Sequence, residues 1–200
     1  MARTRTSRAG VLALLLALVS GAGSAVAAEV PGPELVIDVE MQAVGFDESV
    51  AAAHGYAIVT DDDGAQRSVP VTAEAHAEEA AIARKRALGR ATVVAGSCGT
   101  SRIVITDSTG FRTAGISTSF NVNRPAVGYS WFVDVAGGGS SVRRTFSGAL
   151  ASRTSWQHTF AHSVPKAGSY IASVARTSNA VLNNGTICFS GGPSDVSWVS

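Results

Sequence analysis

His158 and His162 are the two residues whose spacing most suggests metal chemistry. On a helix, a spacing of four residues would place both imidazoles on one face, where they could share a zinc ion. Residues 156–164, however, alternate between large and mostly small polar side chains, which is typical of a strand. On a strand, four residues span about 13 Å, which is too far for one zinc ion. We therefore predict no metal site at this pair, and no cofactor.

The same alternation places Trp156 on the face that carries both histidines. A face of aromatic and imidazole rings can bind a sugar or another planar ligand, but it can equally be a core face with histidines at its margins. A second candidate surface is the basic pair Arg143 and Arg144, close in sequence to Arg153. Both surfaces are candidates for ligand binding, the second one for an anionic partner.

Other catalytic and metal-binding patterns are not supported. No serine lies in a G-x-S-x-G elbow, and the acids of residues 91–200 are too few for the paired carboxylates of a glycoside hydrolase. The run 61–64 (Asp-Asp-Asp-Gly) is not an EF-hand loop, because Val59 and Pro70 occupy its first and last ligand positions. We therefore predict no catalytic residue.

Residues 1–28 have the three parts of a secretory signal peptide. Arginines at positions 3, 5 and 8 precede the apolar run 11–19, and small residues at 25–27 supply a cleavage site. Nine apolar residues rise about 13 Å as a helix, far less than the roughly 30 Å of a bilayer core. The sequence therefore predicts a secreted protein without a transmembrane anchor.

The chain has two cysteines, Cys98 and Cys188. Both lie in strand-like segments, and an oxidising compartment favours their pairing. We predict a Cys98–Cys188 disulfide, because two distant cysteines without a neighbouring histidine fit neither a metal site nor a catalytic thiol.

Charge divides the exported chain into two parts. Residues 29–90 carry twelve acids and five bases, whereas residues 91–200 carry three acids and eight bases. The bases of the second part are too scattered for a nucleic-acid footprint, so we expect no nucleic-acid partner. The charge division is compatible with two independently solvated surfaces, with contact between the two parts, or with an anionic partner of the basic part, such as a cell-wall or polysaccharide surface. Basic residues at 84–86 and 90 lie at the boundary and leave open that residues 29–90 are a cleaved propeptide.

The acidic part, residues 29–90, is predicted to form a helix, a β-hairpin and a second helix. Asp47 can cap a helix over 48–54, followed by Gly55 as its C-terminal stop. A strand at 56–60 and its partner ending near Val71 meet at a tight turn, and Thr72 can cap a second helix over 73–88.

The second part, residues 91–200, has strand patterns with no helices between them, so we predict an antiparallel β-sandwich or barrel. Turns are expected at Arg124-Pro125, 137–139, 166–168 and Asn184-Gly185. The predicted strands are 103–106, 116–122, 127–135, 142–146, 156–164, 169–177, 186–189 and one near Trp198. The chain as a whole is therefore expected to be mainly β, with an α/β segment in front.

The segment 165–170 (Pro-Lys-Ala-Gly-Ser-Tyr) resembles the late hairpin of immunoglobulin-like sandwiches. The layout as a whole resembles small exported proteins of actinomycetes that carry no established function, and it implies no active-site motif. The sequence favours a secreted, non-catalytic binding protein. Two alternatives stay open: a secreted hydrolase made with residues 29–90 as a propeptide, and a structural component of the cell envelope.

Overall fold

The structure of this protein is a computed structural model that describes residues 38–88, 97–108 and 110–200. The predicted signal peptide and the predicted boundary near residue 91 lie outside the described residues, which belong to one compact unit. The described residues form two helices and ten strands: β1 (Val39–Phe46), α1 (Glu48–Ala53), β2 (Tyr56–Thr60), β3 (Gln66–Pro70), α2 (Ala73–Ala87), β4 (Ser97–Asp107), β5 (Thr113–Gly137), β6 (Ser140–Ser163), β7 (Gly168–Val174), β8 (Asn179–Leu182), β9 (Thr186–Phe189) and β10 (Ser194–Val199).

The predicted helix, hairpin and helix of the acidic part are confirmed. Asp47 caps α1 by accepting a hydrogen bond from the backbone N–H of Val50 at 3.0 Å. Gly55 ends this helix with a φ of 78°, a left-handed conformation that favours glycine. Strands β2 and β3 pair as an antiparallel hairpin, and Thr72 caps α2 by accepting from the N–H of Ala75 at 3.3 Å.

The β part is a closed antiparallel barrel with additional strands. The barrel follows the circuit β5–β4–β1–β9–β8 and returns to β5, so each strand in it is hydrogen-bonded on both sides. Strands β7 and β10 extend the sheet beyond the second half of β5. The predicted mainly β, antiparallel architecture is therefore confirmed, and β1 of the acidic part shares one sheet with the strands of the basic part.

Two predicted breaks in the strands are wrong. The expected turn at Arg124-Pro125 is a register shift inside the 25-residue strand β5. The chain stays extended there because the Arg124 side chain is buried and paired with Glu79 of α2, while the carbonyl of Pro125 accepts from the N–H of Asn183 at 2.8 Å. The missing N–H of proline is tolerated at such an irregularity.

The second wrong break concerns β6, which was expected as two separate strands, 142–146 and 156–164. It is one strand of 24 residues, antiparallel to β5 along nearly its whole length. Its irregularity is at Ala151 and Ser152, which have φ values of 44° and 62°. Extra residues at this position bulge out of the ladder, so the strand bends without ending.

Aromatic side chains from β5 and β6 pack against one another on one face of the ribbon that these two strands form. We call Phe120, Tyr129, Trp131, Phe146, Trp156 and Phe160 the aromatic cluster. Trp131, at its centre, is fully buried, and its indole Nε1–H donates to Thr118 Oγ1 at 2.9 Å. The bend in the ribbon of β5 and β6 brings Phe146 against Trp156, with ring centroids 5.8 Å apart.

Cys98 and Cys188 form a disulfide, as predicted, with their Cα atoms 6.0 Å apart. Cys98 lies on β4 and Cys188 on β9, the two neighbours of β1 in the barrel. Both cysteines are buried, so the bond links β4 to β9 within the core. In the described parts of the chain, no helix is both long enough and apolar enough to cross a lipid bilayer.

Candidate functional site

Trp156, His158 and His162 lie on one face of β6, as their alternation predicts. Trp156 is half-buried and surrounded by rings: Phe120 lies 5.8 Å away at 25°, and Tyr129 lies 4.8 Å away. His158 is exposed and nearly parallel to the Trp156 ring, at 6.1 Å and 9°. The indole therefore packs as part of the aromatic cluster and is only partly accessible to a ligand.

His162 is the buried member of the predicted pair, with 8% of its surface exposed. Burial, together with the positive charge of Arg144, holds the pKa of His162 below its ordinary value of 6.5. His158 and His162 are separated along an extended strand, and the described residues contain no group of three side chains placed to hold a metal ion. The two histidines are thus placed on one face but not brought together.

Arg143 and Arg144 occupy successive positions of β6 and therefore point to opposite faces of the strand. Arg143 donates to Asp134 through both Nε and Nη2, each at 2.7 Å, and this pairing holds the pKa of Asp134 below its ordinary value. Most of the charge of Arg143 is therefore compensated. The structure does not join Arg143 and Arg144 into one patch, and Arg153 lies beyond the bulge of β6.

Arg153 lines a groove of about 450 Å³ on the solvent-facing side of β4, β5 and β6. Cross-strand pairing places Arg102, Ser119 and Gln157 in one row across the three strands. The next row contains Thr100, Asn121 and Ser155 by the same pairing. We call this concavity the basic groove; its lining residues are Arg102, Ser119, Phe120, Asn121, Leu150, Arg153, Ser155, Trp156 and Gln157.

The basic groove is positively charged and rich in unused hydrogen-bonding groups. Its lining, within the described part of the chain, contains two arginines and no carboxylate. Ion pairs between described residues involve Arg67, Arg124 and Arg143, so Arg102 and Arg153 have no acidic partner among them. A ligand in the groove would meet guanidinium, hydroxyl and amide groups together, which is the chemistry that recognises anionic and hydroxyl-rich molecules.

The rim of the groove is strained. Ala151 and Ser152 both adopt left-handed backbone conformations between the lining residues Leu150 and Arg153. Such conformations cost on the order of 1–3 kcal/mol each in non-glycine residues, and they concentrate at functional sites. A bulge also redirects the side chains that follow it, and here it precedes Arg153.

Helix α2 packs beside the bend of β5 through a buried polar network. The Tyr56 hydroxyl donates to Glu78 at 3.3 Å, and Asn183 Nδ2 donates to the same carboxylate at 2.7 Å. Burial, and then the charge of Glu78, raise the pKa of Tyr56 to about 12. Arg124 Nη2 donates to Glu79 at 2.6 Å. These contacts fix the first half of α2 next to β5, one of the strands that form the basic groove.

The sequence identified Trp156 and Arg153 but missed the rest of the groove. Arg102, Ser119 and Gln157 are separated in sequence and carry no motif. A partial signal exists in residues 116–122, whose alternation leaves Ser117, Ser119 and Asn121 on the face opposite the core. That signal cannot show which residues of β4 and β6 stand beside them.

No protein-family model matches the sequence, and no curated protein or solved structure is significantly similar to this chain. The site must therefore be interpreted from its own chemistry.

Proposed function

We propose that this chain is an exported, non-catalytic binding protein whose ligand is an anionic, hydroxyl-rich surface polymer, and that the basic groove binds it. The row formed by Arg102, Ser119 and Gln157, with Arg153 at the rim, carries this proposal. Two guanidinium groups without an acidic partner among the described residues favour an anion, because they gain a charge-assisted hydrogen bond on binding. The Ser119 hydroxyl and the Gln157 amide suit the hydroxyl groups of a glycan.

The groove is a better candidate than the aromatic face. Phe120 and Tyr129 pack against Trp156, so much of the indole surface is already in contact with other rings. Arg102 and Arg153, in contrast, need no rearrangement to expose their donors. Electrostatic attraction from the groove also explains why the basic part of the chain would approach an anionic surface.

Release of residues 29–90 as a propeptide is disfavoured by the position of β1. This strand pairs with β4 on one side and with β9 on the other. Cleavage near residue 91 would leave both neighbours with an open edge unless the cleaved piece stayed bound. We therefore place residues 38–88 in the functional protein.

The proposal is tested by titrating the purified chain with polygalacturonate, a carboxylated glycan, and with neutral dextran of similar length. We expect polygalacturonate to bind and dextran to bind much more weakly, with affinity falling as salt rises. Arg102→Ala and Arg153→Ala should each weaken binding about tenfold, since one charge-assisted contact contributes roughly 1.5 kcal/mol.

Arg84→Ala is the matched control, because Arg84 is exposed on α2 and lines neither the basic groove nor the crevice beside α2. This variant should bind like the unmodified chain. If the Arg102 and Arg153 variants bind polygalacturonate as tightly as the unmodified chain does, the assignment of the binding site to the groove is wrong. His158 is exposed on the aromatic face, the face of β6 that carries Trp156 and both histidines. Binding that is insensitive to salt and is lost in His158→Ala would assign the site to that face instead.

A further inference from the structure

A second concavity, of about 290 Å³, lies between the last turns of α2 and the bend of β5. We call it the α2 crevice; its lining residues are Glu78, Ala81, Ile82, Lys85, Arg86, Asn123, Pro125 and Thr154. Its walls combine apolar side chains with the two cations Lys85 and Arg86 at the rim. This mixture suits a ligand that has both ring faces and negative charges.

The α2 crevice and the basic groove are neighbours along β5. Asn121 lines the groove and Asn123 lines the crevice, and two residues of a strand span about 7 Å. The two concavities therefore meet at the bend, and one extended molecule can occupy both.

The combined surface is strongly basic. It carries four cations, Arg102 and Arg153 in the groove and Lys85 and Arg86 in the crevice. Glu78, the one carboxylate among its described lining residues, accepts hydrogen bonds from Tyr56 and Asn183. A single small anion would use only part of this surface, whereas a chain with regularly repeated negative charges could contact all four cations.

The lining favours a glycan over a single-stranded nucleic acid. Nucleic acids without a duplex are bound by stacking their bases on accessible aromatic rings. No aromatic side chain lines the crevice among the residues that the structure describes, and in the groove Phe120 is buried while Trp156 packs in the aromatic cluster. Hydroxyl and amide side chains, by contrast, match the hydroxyl groups of a sugar chain.

We infer that the basic groove and the α2 crevice form one continuous track for a linear, negatively charged glycan that crosses the bend of β5 and β6. This inference rests on the proposed function and adds the polymeric nature of the ligand and a second contact region. Binding in the basic groove alone would not involve α2, whereas the track requires the ligand to contact Lys85 and Arg86 in the last turns of this helix.

The test compares oligogalacturonide trimers with dodecamers as probes, using the full chain. For the dodecamer, we expect Lys85→Ala combined with Arg86→Ala to weaken binding about tenfold or more. The trimer should bind this double variant like the unmodified chain, because it fits within the basic groove. Arg102→Ala should weaken binding of both probes, and Arg84→Ala should change neither. Circular dichroism and thermal unfolding verify that each variant is folded.

The outcomes separate the two proposals. Unchanged dodecamer binding by the Lys85 and Arg86 variant, with the Arg102 effect intact, would overturn the track and leave the groove standing. Failure of both probes to bind the unmodified chain would overturn the groove and the track together. Single-stranded DNA of similar charge that binds as tightly as the dodecamer would overturn the assignment to a glycan.

Discussion

Replacing Glu79 with glutamine tests how the charge of Arg124 is held inside the fold. Arg124 has 10% of its side chain exposed, and Glu79 has 32%. The Arg124 Nη2 group donates to both Glu79 oxygens, while Nη1 is buried with no hydrogen-bond partner among the described residues. Glu79→Gln keeps the shape of the side chain but removes the negative charge, so the guanidinium loses its compensating carboxylate.

The expected loss follows from burial. Breaking a fully buried ion pair costs about 3–5 kcal/mol, and solvent screening at the one-third exposed Glu79 lowers this to about 2–3 kcal/mol. Urea unfolding followed by tryptophan fluorescence measures it. In the double variant with Arg124→Met no unpaired charge is buried, so we expect it to recover at least about 1 kcal/mol relative to Glu79→Gln alone.

Glu74→Gln is the matched control, because Glu74 is an exposed acid in the first turn of the same helix. Its loss should be about 0.5 kcal/mol, the usual size of a charge effect at a helix N-terminus. A loss in Glu79→Gln no larger than that of Glu74→Gln would refute the reasoning. Failure of the double variant to recover any stability would show that the pair acts through packing instead of charge.

Two further predictions concern stability. Cys98→Ala combined with Cys188→Ala opens a loop of 90 residues. On the chain-entropy model, the free energy of unfolding measured by urea titration should fall by about 4–5 kcal/mol. A loss below about 1 kcal/mol would contradict this expectation. His162 is neutral in both states well above pH 6.5. As the pH falls through 6.5, the unfolded state binds a proton first, because the folded pKa is lowered, so stability should decline. The variant His162→Gln should remove this part of the decline, and an unchanged pH profile would contradict the assignment.

Local signals were sufficient for the two helices and the hairpin of the acidic part, although they did not reveal β1. Asp47 caps α1 and Gly55 ends it through groups a few residues away, so the pattern and the structure agree. The prediction failed at Arg124, where a charged residue before proline normally marks a turn. The partner that allows Arg124 to be buried is Glu79, 45 residues earlier, and no local pattern contains that pairing.

The same reason limits what the sequence says about the site. Arg153 and Trp156 were noticeable by type, but the groove depends on the register that aligns Arg102 with Ser119 and Ser119 with Gln157. Shifting one strand by a single residue would turn its polar side chains toward the core. Register is set by the whole sheet, including the bulge at residues 151–152, so it could not be read from any one strand.

The position of β1 in the barrel has a consequence for the order of events during folding. Its residue Phe46 pairs with Thr186 of β9, so the barrel closes between two segments near opposite ends of the described chain. Pairing of such distant segments is slow, typically milliseconds to seconds, because the entropy of loop closure is lost before any contact forms. During synthesis, the circuit cannot be completed until β9 has been made and can pair with β1. Until then β1 lacks one of its two neighbours, so the edges that the finished barrel hides stay open to other strands.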